Sequence, residues 1–350
     1  MNLPNFTITP NTLTLITTYQ CTAACPNCCF ACSPMKKERL TYQDLIYSIE
    51  KTHTSFPSIK LVVFTGGEPF ILDNDLLKAI NYATQRKLGT RIVTNAFWAK
   101  SYKKAYLTLR KYKNNGLTEI NYSTGDEHQE FIPYENIVFA VRAALDLSLS
   151  VAVNVETHDT KKFKANILKN DVRLLKYSNN KNFIVTGGLW AFKNSEPTSQ
   201  TDVLLQKHKT NELRDKACDT LFSNIAISPK KTLFSCCGFF VDKTKYLQFG
   251  KLDQDNLADC YFEQYDDLLK LWLFISGPQV VAEFINNHRK DKQIECFGKH
   301  PCSICEKIYT DASNLLILND NYKKIYPQII LKHRINMSIY KKKGDPNEYL

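Results

Sequence analysis

Between residues 13 and 190 the apolar positions switch repeatedly between two spacings, short runs with strand character and longer stretches with helical period. The strand-like runs are LTLITT (13–18), KLVVFT (60–65), TRIVT (90–94), EINYS (119–123), VAVNV (151–155) and FIVT (183–186). Helical patterning occupies Tyr42 to His53, Asp75 to Arg86, Tyr102 to Lys113, Tyr134 to Leu147 and Phe163 to Tyr177. Thr41 followed by Asp44 has the spacing of a helix N-cap with an acidic first turn. Alternation of this kind predicts a parallel sheet with helices outside it. Six strands favour a partial (β/α)6 barrel, TIM-like in its winding, over a closed eight-stranded one.

In such a sheet the C-terminal strand ends carry the chemistry, because only the loops there converge on one ligand. The segments after the strands are CTAACPNCCFAC (21–32), GGEP (66–69), NAFW (95–98), STGDEHQEF (123–131), ETHD (156–159) and GG (187–188). All are polar, glycine-rich or thiol-bearing, which places one large site on one rim. The pattern changes after roughly residue 200. CDTLFSNIAISPKKTLFSCCGFF (218–240) reads as two short strands around a Pro-Lys-Lys turn, a predicted hairpin. Helical stretches follow at Tyr261 to Ile275 and Val280 to His288, then CFGKHPCSIC (296–305) and a basic, helical tail. The expected division is a barrel over 1–200, a small thiol-rich α+β unit over 201–310 and a tail over 311–350.

The 350 residues accommodate two domains at about 150 residues each. The N-terminus has neither a basic start nor an apolar core, and no unbroken apolar run of about 18 residues occurs, so a cytoplasmic protein without a membrane partner is expected. The net charge of +11 favours acidic partners. Much of the excess lies on solvated helix faces and in the tail, without the aromatic-basic pattern of a nucleic-acid module, so no nucleic-acid partner is expected. The twelve cysteines change the picture more. In a reducing cytosol they point to metal ligation, redox chemistry or inert buried thiols rather than disulfides. They fall in two groups, Cys21, Cys25, Cys28, Cys29 and Cys32, then Cys218, Cys236, Cys237, Cys260, Cys296, Cys302 and Cys305, with none between.

Cys21, Cys25 and Cys28 are spaced Cys-x3-Cys-x2-Cys directly after a strand. Such spacing wraps several thiolates around one centre, as both zinc and iron-sulfur sites require. A structural zinc would need a fourth ligand, which Cys29 or Cys32 could supply; three ligands facing a Gly-Gly-Glu loop fit an iron-sulfur cluster with one iron open. The triplet after the first strand and TGGEPF after the second resemble the radical S-adenosylmethionine (radical SAM) superfamily. The resemblance implies that Cys21, Cys25 and Cys28 hold a [4Fe-4S] cluster whose open iron chelates the methionyl amine and carboxylate of S-adenosylmethionine (AdoMet). Gly66 and Gly67 would let the backbone approach that ligand, and Glu68 or its neighbouring carbonyls would accept from the ammonium. It also implies ribose and carboxylate contacts from Asn95, Ser123 and Asp126. Asn27 stands where many members place an aromatic residue over the adenine. Cys29 and Cys32 read as small buried thiols.

Cys218, Cys236, Cys302 and Cys305 would supply a second, closed cluster, with Cys260 and Cys296 as possible substitutes and zinc as the alternative occupant. The arrangement resembles the Twitch/SPASM-like auxiliary domain of peptide-modifying radical SAM enzymes. Lys231 holds the hairpin position where that extension usually has glycine. Neighbours on a strand face opposite ways, so a ligand at Cys236 leaves Cys237 free. Beyond the triplet, the layout is similar to the epipeptide epimerases: CCF, TGGE, an NxFW turn, a strand ending in Ser before an Asp-Glu-x-His-like loop, the later Cys-Cys pair and a late Cys-x2-Cys. That implies abstraction of a Cα hydrogen from an L-residue of a short ribosomal precursor peptide, hydrogen return from Cys237 to leave a D-residue, and an electron donor such as flavodoxin or ferredoxin. Cys237 as a structural or ligand thiol is the other reading. His128 and His158 read as hydrogen-bonded loop residues. Two further functions stand beside epimerisation: peptide cross-linking through a thioether or carbon-carbon bond, and a non-catalytic protein with zinc sites. With about 20 residues before Cys21, no N-terminal leader-binding domain is expected.

Overall fold

The computed structural model describes residues 7–157, 162–189, 217–289, 291–296 and 299–342. The chain divides into two compact units, Thr12–Ser195 with Ala226–Lys231, and Met1–Asn11 with Glu196–Ile225 and Thr232–Leu350.

All six expected strands of the first unit form: β1 (Thr12–Thr18), β2 (Leu61–Gly66), β3 (Gly89–Thr94), β4 (Glu119–Thr124), β5 (Ser150–Thr157) and β6 (Phe183–Leu189). They lie in sequence order with β1 and β6 far apart, each paired in parallel with the next, as an open rather than closed barrel requires. Parallel pairing sends every C-terminal end to one rim. Leu13, Leu15, Ile16, Phe64, Ile92 and Tyr122 are buried along the strands, the pattern of a sheet covered by helices.

Helices α1 (Tyr42–Ser55), α2 (Asn74–Gln85), α3 (Tyr102–Asn114) and α5 (Tyr134–Asp146) match the helical patterning, and a short α4 (Asp126–Gln129) sits inside the rim segment after β4. Thr41 caps α1 in a reciprocal box with Asp44, whose carboxylate also pairs with Lys231 Nζ at 2.7 Å. The fifth expected helix breaks. Only α6 (Ala165–Lys169) and a 3-10 turn at Leu175–Tyr177 form between Phe163 and Tyr177. Asp171 is the cause: its carboxylate accepts from Arg173 N at 2.9 Å, Arg173 Nε at 2.9 Å and Tyr134 Oη at 2.8 Å, a local turn that competes with the helical ladder.

The predicted short strands appear as β7 (Asn224–Ile227) and β8 (Thr232–Phe234), joined by a turn closed from Lys231 N to Ser228 O at 2.8 Å. Lys231 adopts φ +57°, the left-handed conformation that glycine takes without strain. In the second unit β9 (Gln248–Lys251) pairs antiparallel with β8.

Helix boundaries there differ from the sequence pattern. The helical stretch from Tyr261 is split: α7 (Leu257–Glu263) ends, and α8 (Leu268–Asn287) begins at Asp267, whose carboxylate accepts from Lys270 N at 3.0 Å. Gly277, at φ +80° before Pro278, kinks α8, which accounts for the expected gap before Val280. This 20-residue helix is long and apolar enough to cross a bilayer, although Lys270 and Glu283 interrupt its apolar run. Leu271, Trp272, Leu273, Val281 and Ile285 are buried in the protein. Helices α9 (Pro301–Thr310) and α10 (Ala312–Lys342) complete the unit.

Candidate active site

The segment after β1 and the turn after β2 are sewn together through backbone. Gly67 N donates to Thr18 O at 2.6 Å and Glu68 N to Gln20 O at 2.9 Å, one residue before Cys21. Both glycines are required. Gly66 has φ +127°, and a Cβ on Gly67 would lie 2.6 Å from the Gln20 carbonyl carbon. Glu68 is fully buried. Its carboxylate turns inward, accepting from Phe70 N (3.1 Å), Asn95 N (2.9 Å) and Thr94 Oγ1 (2.8 and 2.9 Å). Burial outweighs these donors and pushes its pKa up to about 7. The side chain therefore braces the β2 and β3 ends, and the backbone of the Gly-Gly-Glu turn is what remains for a ligand.

Asn95 bends back over the first cysteine, its Nδ2 donating to Thr22 Oγ1 at 3.1 Å and standing 3.6 Å from Cys21 Sγ. Ser123 is half-buried within the last residues of β4. Asp126 accepts from Lys162 N and, at 3.0 Å, Phe163 N, tying the β4 rim to the segment beyond β5. His128 Nδ1 lies 3.1 Å from Glu156 Oε2, whereas His158 is outside the described residues.

The three cysteines of the motif act on one another's charge. Burial first, then Glu68 and Cys28, pushes Cys21 up to about 11; burial, then Cys28 and Cys21, pushes Cys25 up to about 12. Cys28 is held far below an ordinary thiol by hydrogen bonds from the Cys29 and Cys32 thiols, with the Cys32 backbone N–H at 3.3 Å. Cys29 and Cys32 thus lie within hydrogen-bonding reach of Cys28. A buried thiol set whose members raise each other's pKa is stabilised by a cationic core, which makes the thiolate the favoured form.

A second thiol set assembles within the other unit. Cys302 and Cys305 share one face of α9, where His300 Nδ1 caps the helix by accepting from Cys302 N at 3.1 Å. Cys218 N donates to Leu273 O of α8 at 3.2 Å. A Cβ on Gly238 would stand 3.3 Å from Cys236 Sγ and 3.8 Å from Cys302 Sγ, so those sulfurs flank the same turn. Burial, then the neighbouring thiols, raises Cys236 and Cys305 well above the ordinary thiol value and Cys302 to about 12, and Cys237 is one of those neighbours for Cys236 and Cys302. Cys260 is raised by burial first and then by Asp255, Glu263 and Asp259, and Cys296 is pushed up to about 12 by burial and then by Glu283 and Glu295, so carboxylates rather than thiols are their charged neighbours. The strand argument for Cys236 and Cys237 fails, because β8 ends at Phe234 and both lie in the following loop. They differ in burial all the same, Cys236 at 7% exposure and Cys237 half-buried.

Among the described residues no three His, Cys, Asp or Glu side chains close on a point at the spacing of a single ion.

Sequence reasoning missed Glu127 and Glu156, 4% and 1% exposed at the β4 and β5 ends. The acidic residues in DEHQEF and ETHD were their only signal. It also missed Lys270 and the Tyr309 hydroxyl, both buried near the second set; the hydroxyl has no hydrogen-bond partner.

No protein-family model matches the chain. It is 22% identical over 329 residues to the "Putative peptide biosynthesis protein YydG" of Bacillus subtilis, spanning 88% of this chain and 94% of that one. Two solved structures of the radical SAM enzyme anSMEcpe, with bound AdoMet and a Cp18Cys or a Kp18Cys peptide, superpose at a TM-score of 0.54 each. They are 11% and 12% identical and cover 93% of this chain and 99% of theirs. That likeness establishes the fold, and the Cys-x3-Cys-x2-Cys and Gly-Gly-Glu-Pro segments sit at its β1 and β2 ends. The chain thus has the fold of these AdoMet-bound enzymes, and its Cys-x3-Cys-x2-Cys motif resembles that of the radical SAM superfamily.

Proposed function

We propose that the protein epimerises L-residues of a ribosomally made peptide to D-residues. The observation that carries this is the thiol pair after β8, Cys236 at 7% exposure and Cys237 half-buried beside it, two adjacent sulfurs in different surroundings. A peptide substrate is supported by the likeness to YydG, described as a peptide biosynthesis protein, and to anSMEcpe with its bound peptides.

In this reading Cys21, Cys25 and Cys28 hold a [4Fe-4S] cluster, and the Gly66-Gly67-Glu68 backbone, Asn95, Ser123 and Asp126 hold AdoMet. Cys218, Cys236, Cys302 and Cys305 hold the auxiliary cluster. Bound and reduced, the AdoMet site supplies a 5′-deoxyadenosyl radical that takes the Cα hydrogen of an L-residue. The Cys237 S–H bond then breaks and a C–H bond forms on the opposite face of Cα, leaving a D-residue and a thiyl. One electron and one proton restore the thiol, the electron coming from a donor of the flavodoxin or ferredoxin class. Asn95 keeps the first cysteine loop against the β3 end, and the inward Glu68 holds the Gly-Gly turn rigid. Fixed donors and a fixed turn need no rearrangement when the ligand binds.

The test is anaerobic co-expression with a short peptide encoded beside the gene, in deuterated water, with peptide mass and chiral composition as readouts. One non-exchangeable deuterium per altered residue together with D-amino acids supports epimerisation. A product two hydrogens lighter supports cross-linking instead, and unaltered peptide from a zinc-loaded, sulfide-free protein refutes both.

A further inference from the structure

The bend between Cys25 and Cys28 is fastened to the barrel rim by a buried carboxylate. Glu127 takes both donors of Asn27, the backbone N–H on Oε2 at 3.1 Å and the side-chain amide on Oε1 at 2.6 Å. Cys25 Sγ lies 3.8 Å from the Glu127 carbonyl oxygen. Glu127 is itself anchored: its N–H donates to Glu156 Oε1, while Glu156 Oε2 faces His128. Gly125, at φ +146°, lets this happen, since a Cβ there would overlap the Glu156 side chain. A continuous set of charge-assisted contacts therefore runs from the cysteine loop through the β4 rim to the end of β5.

We propose that Glu127 is a positioning residue for the AdoMet-site cluster, fixing the Cys25–Cys28 bend through Asn27. The proposal rests on the reading that Cys21, Cys25 and Cys28 hold that cluster. It accounts for Asn27 where many members carry an aromatic residue: an aromatic side chain would remove the amide that donates to Glu127 Oε1 and keep the backbone N–H on Oε2. A two-point clamp fixes orientation as well as distance, which a single hydrogen bond does not.

Four full-length proteins, anaerobically reconstituted, test it: wild type, Glu127→Gln, Asn27→Asp and the double variant Asn27→Asp/Glu127→Gln. In Asn27→Asp two carboxylates face each other, whereas in Glu127→Gln the Asn27 amide can turn over and accept from the new amide nitrogen, keeping both contacts without the charge. In the double variant the introduced amide accepts from the residue-27 N–H and donates to the introduced carboxylate, so both contacts return. The readouts are the AdoMet-induced change in the electron paramagnetic resonance spectrum of the reduced protein and amide hydrogen exchange across residues 25–28. Asn27→Asp is expected to need at least about tenfold more AdoMet for half the spectral change and to exchange faster, a factor appropriate to hydrogen bonds on a charged group, with Glu127→Gln between it and wild type. The double variant is expected to return to within about threefold of wild type on the same scale. If a single variant loads no cluster, recovered iron in the double variant supports the clamp and continued loss overturns it. Asn27→Asp within twofold of wild type, or a double variant no better than Asn27→Asp, overturns it too. A wild type that shows no AdoMet-induced change sinks the cluster reading, and exchange across 25–28 then judges the clamp alone.

Discussion

Gly67→Ala is expected to separate the cysteine loop from the Gly-Gly-Glu turn, and the structure sets the size of the effect. The added Cβ would lie 2.6 Å from the Gln20 carbonyl carbon and 3.1 Å from that of Tyr19, all backbone atoms with no flexible side chain to swing away. Relief requires β1 and β2 to part at the rim, stretching Gly67 N to Thr18 O (2.6 Å) and Glu68 N to Gln20 O (2.9 Å). Two backbone hydrogen bonds at about 1 kcal/mol each, plus desolvated groups left unpaired at about 1–3 kcal/mol, make the loss about 3–5 kcal/mol. Gly89→Ala is the control. Its Cβ would meet Lys60 O at 3.4 Å and Leu61 Cδ1 at 3.5 Å, close to ordinary contact, and a strand alanine is expected to be neutral or stabilising by under about 1 kcal/mol. Anaerobic urea unfolding followed by circular dichroism, with AdoMet titration of the same samples, reads both. If Gly67→Ala unfolds at the midpoint of Gly89→Ala and binds AdoMet as wild type does, the sewn-turn account is wrong.

Replacing Cys21, Cys25 and Cys28 together by Ala should leave roughly four of about eight irons per chain after reconstitution; loss of nearly all iron would refute two independent thiol sets. Cys237→Ala should abolish D-residue formation while 5′-deoxyadenosine still accumulates, and D-residues in that product would remove Cys237 from the reaction. Glu68 is raised from 4.5 to about 7 by burial, so its stabilising contribution is full below pH about 4.5 and is lost as pH rises through about 7. The stability of wild type minus that of Glu68→Gln should fall by about 3 kcal/mol across that window, and a flat difference refutes the shift. Asp44→Ala removes both the α1 capping box and the Lys231 pair, and a loss of about 1–2 kcal/mol in urea unfolding is expected, against under about 1 for Lys231→Met.

What the sequence disclosed and what it hid follow from the range of the interactions involved. Strand period is local, and the six β1–β6 runs could be read off the chain to within about two residues at most ends. Where a side chain bonded its own backbone neighbourhood the period misled, as at Asp171, which ended a helix that apolar spacing continued to Tyr177. Lys231 shows the same limit from the other side. Read by residue type it departs from the glycine usual in such a turn, yet it takes the left-handed conformation a glycine would and keeps the ion pair to Asp44 that a glycine could not make. The cysteines were legible because their spacing is itself the chemistry. The carboxylates were not: Glu68 was assigned to ligand because its motif is exposed in sequence, while its side chain is spent on Thr94 and Asn95, 26 and 27 residues away. Glu127 gave no signal beyond its place in an acidic loop, because its partner Asn27 is 100 residues off. Residues that touch a cofactor are constrained by its chemistry and carry motifs, whereas residues that hold the cofactor's ligands in place need only geometry, which one sequence does not display. The site's rigidity therefore rests on its least legible members, and substitution at Glu127 or Gly125 tests more of this arrangement than another exchange among the cysteines.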